Sequence, residues 1–219
     1  MSTGRAERPG VRAESARATR RRIVDAATSL LLAEGYHDVS VAALAKAAGV
    51  SPQTVYNAIG GKAEVLKLAY DTLLAGDDAP IPMSERPEFR AIAQAPDRRG
   101  LLVAYAALCG LIYGRVGSLL GAVLAQGPGA DAGLARFVEA IEAERRTGNA
   151  NVIRLLDSVH GTPETPCSGA FLDEMWTLTA PEVYDRLVRR CGWTHDSYVG
   201  WLGQVLVAAD ARHFRHRGE

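Results

Sequence analysis

Residues 40–59, SVAALAKAAGVSPQTVYNAI, constrain the fold more than any other segment because they carry the start and stop signals of two short helices. Ser40 precedes an apolar-periodic run, and its hydroxyl can accept a hydrogen bond from a backbone N–H of the first turn. Gly49 supplies the positive φ that ends this helix. Ser51 and Pro52 are typical of the first positions of the next helix. The sequence therefore predicts two short helices joined by one tight turn.

The second of these helices has a polar outer face. Val55 is expected to turn inward, which leaves four polar side chains facing outward near its start: Gln53, Thr54, Tyr56 and Asn57. Groups of this kind can reach base edges or phosphates from within a DNA groove. A helix-turn-helix is therefore the favoured interpretation, and a plain helical hairpin inside an all-α enzyme or scaffold is the alternative.

The flanking segments support the same interpretation. Residues 20–35 have apolar side chains spaced as one face of a helix, and Gly35 is placed as its C-terminal cap. Downstream, Gly60 and Gly61 break the chain before Lys62. Lys62 is then expected at a helix N-terminus, where its ammonium and the free backbone N–H groups both favour a phosphate.

The order of these motifs resembles the N-terminal DNA-binding domain of TetR-type (TetR/AcrR) transcriptional regulators over roughly residues 16–75. The resemblance rests on Gly35-Tyr36, Ser40-Val-Ala-Ala-Leu-Ala, Ala48-Gly-Val, Thr54-Val-Tyr and Gly61-Lys62. It implies a DNA-binding surface in which Tyr56 and Lys62 hold the backbone, formed by Ser40, Gln53, Thr54, Tyr56, Asn57 and Lys62. We also expect Ser51, the cap of the second helix, to lie on this surface. It also implies a homodimer that binds a palindromic double-stranded operator and responds to a small molecule. The favoured interpretation is a repressor released by a small hydrophobic effector.

Charge is distributed unevenly along the chain. Residues 1–62 hold nine Lys or Arg against five acidic residues, a net charge of +4, and the remainder carries −4. This asymmetry suits a nucleic-acid partner at one end only. No apolar segment typical of a secretory signal follows the first arginines, so a cytoplasmic location is expected. The expected domains are a disordered basic tail at 1–15, a DNA-binding domain at 16–62, a helical effector-binding and dimerisation domain at 63–213 and a tail at 214–219.

The least ordinary part of the second domain is residues 101–125, which contain one charge, Arg115. A membrane span is the alternative, since about 20 apolar residues suffice to cross a bilayer. Arg115 near the middle and four glycines argue against it. We expect two buried core helices with a break at residues 114–117, within an all-α fold that has no membrane partner.

Further helices follow from periodicity. The expected elements are helices at 85–95 and 131–160, a loop at 161–166, a capping box formed by Thr179 and Glu182, and a helix stop at Gly192. The last helix carries an apolar stripe made of Tyr198, Trp201, Leu202, Val205 and Leu206. This stripe either closes the intramolecular core or pairs with a second copy; the resemblance favours a dimeric four-helix bundle.

Tyr105, Cys109 and Tyr113 share one helix face and are candidates for the lining of an apolar pocket, which Phe171, Met175 and Trp176 would close. Plain core packing is the alternative. The lining indicates a hydrophobic effector, if one exists. A second possibility for the whole chain is an orphan regulator or activator of the same fold with no effector.

Enzymatic and metal-binding motifs are weak. Cys109, Cys167 and Cys191 lack C-x-x-C spacing, which is typical of a reduced cytoplasmic protein. His213 and His216 lie near the C-terminus without a cysteine or acidic co-ligand in sequence. We therefore predict no catalytic residue, metal site or cofactor.

Overall fold

The computed structural model describes residues 9–77, 79, 81, 83–125, 127, 129, 131–160 and 169–215. Within these residues every regular element is helical, which confirms the predicted all-α class. The helices are α1 (Pro9–Asp38), α2 (Val41–Ala48), α3 (Pro52–Ala58), α4 (Lys62–Ala75), α5 (Pro87–Ala93), α6 (Arg98–Leu124), α7 (Ala132–His160), α8 (Gly169–Leu178), α9 (Pro181–Tyr184) and α10 (His195–Arg215). A 3₁₀ turn, Met83–Glu85, precedes α5, and a π-helical segment, Asp185–Arg190, continues α9.

The chain divides into two compact units. The first unit contains residues 1–78 and 121–137, and the second unit contains residues 79–120 and 138–219. The expected domain boundary after residue 62 is corrected, because α4 packs on α1 and buries Val65 and Leu66 within the first unit.

The first unit begins with a helix longer than expected. Residues 9–15, which the sequence assigns to a disordered tail, are the first turns of α1; the rest of that tail, and most of the predicted tail at 214–219, lie outside the described residues. Ala13 and Glu14 have high helix propensity and favour extension of α1 into this segment. Gly35, with φ of 77°, ends the regular part of the helix as predicted.

The apolar segment forms one long helix where two were expected. α6 runs without interruption through residues 114–117, so the predicted break is wrong. Its glycines serve close packing: a Cβ on Gly110 would collide with Val199, and one on Gly117 would lie 3.4 Å from the ring of Tyr184. Each glycine costs a helix about 1 kcal/mol relative to alanine, and burial of the apolar residues of α6 offsets this cost.

α6 is also the one described helix that is long and apolar enough to cross a membrane by length and composition. Half of its most apolar stretch is buried inside the fold. At its start, the Arg98 guanidinium lies 2.7 Å from Asp210 and 3.3 Å from Asp157. In the structure α6 is therefore a core helix, with buried residues that include Leu101, Leu102, Ala106, Leu108, Val116 and Leu119.

Most other helix predictions hold within one or two residues. α7 and α5 lie within the expected ranges 131–160 and 85–95, and Gly192 takes a φ of 74° at the predicted stop. The capping box is wrong: buried Thr179 donates its hydroxyl to the carbonyl oxygen of Met175 at 2.8 Å, and α9 has no side-chain cap. The predicted loop at 161–166 lies outside the described residues.

The apolar stripe of α10 is divided between two faces. Three residues of the stripe have no solvent exposure in the single chain: Tyr198, Leu202 and Leu206. They close the core of the second unit, so they do not form the free dimer surface that was predicted. Their spacing of four residues places them on the inward face of the helix. Trp201 and Val205 lie half-buried at its edge.

Candidate DNA-binding site

The turn between α2 and α3 is fixed by caps at both sides. The Ser40 hydroxyl accepts a hydrogen bond from the backbone N–H of Ala43 at 3.1 Å. Gly49 ends α2 with φ of 65°, in the left-handed region that costs glycine least. Leu44 and Ala45 of α2 are buried, each only 1% exposed. The predicted start and end of α2 are thereby confirmed.

The start of α3 is held in the same way. The Ser51 hydroxyl oxygen accepts from the backbone N–H of Thr54 at 3.1 Å and lies 2.8 Å from its hydroxyl. Pro52 occupies the first turn, where no N–H is needed. Val55 is completely buried and anchors the helix. These contacts fix the orientation of α3 from both its cap and its inner face.

The outer face of α3 is polar and accessible. Gln53, Tyr56 and Asn57 are exposed, as are Ser40 and Ser51 at the two caps, whereas Thr54 is half-buried. The Gln53 amide nitrogen donates to Oδ1 of Asn57 at 2.8 Å. This pairing leaves the Gln53 carbonyl oxygen as an acceptor and the Asn57 amide as a donor. A base edge offers the complementary groups.

Lys62 lies at the N-terminus of α4. Its ammonium donates to the backbone carbonyl oxygen of Tyr36 at 3.0 Å and lies 4.1 Å from the centre of the Tyr36 ring. An ammonium has three N–H groups, so this bond leaves donors for a phosphate. Gly61 gives α4 no side-chain cap, which leaves backbone N–H groups open to an anion.

Sequence reasoning missed a basic surface on α1. Arg17, Arg20, Arg21 and Arg22 are exposed on the helix that was expected to begin only after a disordered tail. Nη1 of Arg22 lies 4.0 Å from the position of a Cβ on Gly49, beside the turn between α2 and α3. The run of three arginines at 20–22 was the signal in the sequence.

The predicted pocket residues lie in the second unit. Tyr105, Cys109, Tyr113, Phe171 and Met175 are buried, and Trp176 is half-buried. The two tyrosine hydroxyls are satisfied by residues that were not among the predicted pocket residues. Tyr105 donates to Oδ1 of Asn149 at 2.8 Å, and Tyr113 donates to the backbone carbonyl oxygen of Thr179.

Burial controls the chemistry of this region. Loss of solvent raises the pKa of the Cys109 thiol from 9.0 to about 12, so the unreactive thiol predominates at neutral pH. The pKa of Tyr105 is likewise raised well above 10.0 by burial. The Tyr198 hydroxyl and the Trp176 indole nitrogen are buried without hydrogen-bond partners among the described residues.

His213, near the end of α10, contacts a carboxylate. Nε2 of His213 lies 3.0 Å from Oε2 of Glu174, and His216 lies outside the described residues. In the part of the chain that the structure describes, no group of three or more His, Cys, Asp or Glu residues could hold a metal ion.

Comparisons with known proteins agree with this geometry. Residues 23–69 match the family model of bacterial regulatory proteins of the tetR family. Comparison with curated protein sequences gives no match.

Three solved structures share the fold over most of their length. A putative transcriptional regulator from Pseudomonas aeruginosa PAO1 has a TM-score of 0.65 and 18% identity, covering 90% of this chain and 92% of that chain. The fatty acid degradation regulator FadR from Bacillus halodurans has a TM-score of 0.61 and 16% identity, with coverage of 86% and 94%. A transcriptional regulator from Rhodococcus sp. Rha1 has a TM-score of 0.56 and 16% identity, with coverage of 87% and 95%. At these identities the likeness concerns the fold.

The matched segment spans the core of α1, the capped turn between α2 and α3, and most of α4. Residues 23–69 are therefore a DNA-binding domain of the kind found in the tetR family of bacterial regulatory proteins, within an all-α fold that the chain shares with the three solved structures.

Proposed function

We propose that this DNA-binding regulator is a cytoplasmic homodimeric repressor that reads a palindromic operator through α3 and leaves it when a small molecule binds the second unit. The observation that carries the DNA-binding part is the exposed polar face of α3, held rigidly by the Ser51 cap and buried Val55. Rigid helices present side chains to a groove with less loss of conformational entropy than a loop does.

The roles of individual side chains follow from their positions. Gln53, Thr54 and Asn57 lie on the first turns of α3 and are assigned to base edges. Tyr56 and Lys62 are assigned to phosphates, together with the two cap residues Ser40 and Ser51. The exposed arginines of α1 add sequence-independent attraction.

Two substitutions separate these roles. Gln53→Ala is expected to reduce discrimination at one or two operator positions by about 1 to 3 kcal/mol. Lys62→Ala is expected to weaken binding to all sequences and to reduce the salt dependence by about one unit of log slope per contact. Lys67→Ala is the matched control, since Lys67 lies on the same helix but pairs with Asp71 at 2.6 Å. Equal losses on operator and scrambled DNA for both Gln53→Ala and Lys62→Ala would contradict the assignment.

The proposed dimer surface is the outward face of α10. Gln204 and Ala208 are exposed on this face, and Trp201 and Val205 lie half-buried beside them. Trp193, 37% exposed, meets Trp201 edge to face with ring centres 6.1 Å apart. Aromatic residues on an accessible helix face are typical of interfaces.

Ala208→Arg tests this surface without disturbing the core, because Ala208 is exposed in the single chain. We expect sedimentation to show a folded monomer that binds DNA weakly. Ala143→Arg, at an exposed position of α7, is the control and should remain dimeric. A dimeric Ala208→Arg variant with unchanged DNA affinity would exclude this face.

The effector part rests on the second unit. The buried face of α6 carries Tyr105, Cys109 and Tyr113, and two buried donors of the same unit, on Tyr198 and Trp176, have no partner among the described residues. Unpaired buried donors cost stability, and an acceptor on a ligand would satisfy them. The effector that fits is an apolar molecule with at least one carbonyl or carboxylate oxygen.

Thermal unfolding in a library of such compounds tests this part. A compound at 100 times its Kd adds about 2.7 kcal/mol to the stability of the folded state. Tyr198→Phe should reduce the shift caused by an oxygen-bearing compound more than that caused by its hydrocarbon analogue. If no compound raises the melting temperature or releases DNA, an orphan regulator or an activator of the same fold replaces the repressor.

A further inference from the structure

Three segments that are distant in sequence meet beside Lys62 in the first unit. They are the end of α1 with Tyr36, the start of α4 with Lys62 and Ala63, and the start of α7 with Asp131 and Gly133. Tyr36 lies between the other two segments and is only 1% exposed. We call this arrangement the Tyr36 junction.

Tyr36 contacts both neighbours through different atoms. Its backbone carbonyl oxygen accepts from the Lys62 ammonium at 3.0 Å, and its ring lies under that ammonium. At the other end, its hydroxyl donates to Oδ1 of Asp131 at 3.4 Å. Tyr36 therefore connects Lys62 to the segment that begins α7.

Asp131 binds the start of α7 with the same oxygen. Its Oδ1 accepts from the backbone N–H groups of Gly133 at 2.8 Å and Leu134 at 2.9 Å. These two backbone hydrogen bonds hold the pKa of the Asp131 carboxyl below its ordinary value of 3.8, and the bond from Leu134 has the larger effect. The carboxylate is thus charged at neutral pH and links the helix cap to the Tyr36 hydroxyl.

Gly133 allows α7 to approach α4 closely. A Cβ at this position would lie 3.0 Å from the Cβ of Ala63 and 3.2 Å from the Tyr36 hydroxyl. The Cβ of Ala63 is fixed to the backbone of α4, so it cannot move without moving the helix that carries Lys62. A side chain larger than hydrogen at Gly133 must therefore displace α7, Tyr36, α4 or the Asp131 carboxylate, whose Oδ1 would lie 3.0 Å from the Cβ.

We propose that Tyr36 is a positioning residue that fixes the Lys62 ammonium for a DNA phosphate and makes its position depend on the first turn of α7. The proposal rests on the phosphate role of Lys62 given above. α7 is one continuous helix from Ala132 to His160, so a displacement along it reaches Tyr36 and Lys62 through Asp131 and Gly133. DNA affinity thereby becomes sensitive to the state of α7.

A double-mutant cycle distinguishes this role from plain packing. The probe is the DNA duplex that the wild-type chain selects from a random pool, measured beside a scrambled duplex. Tyr36→Phe keeps the ring and the carbonyl oxygen but removes the bond to Asp131, and Gly133→Ala introduces the Cβ. Each is expected to weaken binding about tenfold in the wild-type chain but less than about twofold in the Lys62→Ala chain.

Gly148→Ala is the matched control. It makes the same substitution within α7 at a glycine where a Cβ would meet nothing within 4 Å, so DNA binding should not change. Circular dichroism verifies that each variant is folded. If Gly133→Ala does not fold, the Tyr36→Phe cycle alone tests the proposal.

The outcomes are distinct. The proposal is supported if Tyr36→Phe and Gly133→Ala reduce DNA affinity in the wild-type chain but not in the Lys62→Ala chain. Equal losses with and without Lys62 contradict the linkage and leave the phosphate role intact. If Lys62→Ala itself changes neither affinity nor salt dependence, the phosphate role is wrong and the proposal fails with it.

Discussion

The two units use the same kind of residue in opposite ways. In the first unit Asn57 is exposed on α3, and its only described side-chain bond is to Gln53, another exposed residue. In the second unit Asn149 is 1% exposed and binds Tyr105, Thr179 and the backbone of Arg145. Burial decides whether a polar side chain recognises a partner or specifies the core, because a buried polar group must be paired within the fold.

The largest expected effect concerns the two faces of α10. Leu202→Glu places a charge at a position with no solvent exposure, so we expect a loss of about 4 kcal/mol or more in the free energy of unfolding. Gln204→Glu, two residues away and exposed, should change it by less than about 0.5 kcal/mol. Urea unfolding compares the two variants. A folded Leu202→Glu monomer of wild-type stability would instead place Leu202 in a dimer interface.

The two asparagines give the next largest difference. Asn149→Ala removes the partner of the Tyr105 hydroxyl and two further bonds, so we expect a loss of about 2 to 3 kcal/mol in stability. Asn57→Ala should change stability by less than about 0.5 kcal/mol and instead weaken DNA binding. Chemical unfolding measures the stability of both variants, and DNA titration measures their affinity; only Asn149→Ala should lose stability, and Asn57→Ala should lose affinity. Similar stability losses at the two positions would remove the distinction between the units.

A smaller effect is expected from alkaline pH. The folded state favours the neutral Cys109 thiol because its pKa is raised from 9.0 to about 12 by burial. The resulting stability is present below the unfolded pKa and is lost as pH rises through the window from 9.0 to about 12. At about pH 10 the expected loss is on the order of 1 kcal/mol. Between about pH 8.5 and 10, the free energy of unfolding should fall less steeply for Cys109→Ala than for wild type. Parallel plots of this free energy against pH for the two proteins would show that the thiol is accessible.

The sequence predicts the first unit well because its signals are local. Ser40, Gly49 and Ser51 each fix a helix end through bonds within three or four residues, and the structure has these ends where they were expected. The Tyr36 junction escaped prediction because Asp131 is 95 residues from Tyr36 along the chain. Only its local part, an aspartate directly before α7, can be recognised from the sequence.

The second unit shows where local signals fail. Glycines at 114 and 117 were expected to break α6, but Gly117 instead provides room for Tyr184, a residue of α9. The stripe of α10 could be identified by its spacing, but its partner could not, because burial of Tyr198 and Leu202 depends on tertiary packing. Thr179 was expected to cap α9, but buried Asn149 and the carbonyl oxygen of Met175 bind its hydroxyl instead. For Gly117 and Thr179 the information that the sequence lacks is a contact with a distant residue, Tyr184 and Asn149 respectively.

The most direct test of the central claim is selection of duplex DNA from a random pool by the purified full chain, followed by sequencing. We expect an inverted repeat whose half-site centres are separated by about one helical turn, roughly 34 to 36 Å, or a multiple of it. Selection with Gln53→Ala should relax one or two positions in each half-site. A pool that shows no enriched sequence after repeated selection with wild-type protein would contradict the account of α3 as a sequence-specific DNA reader.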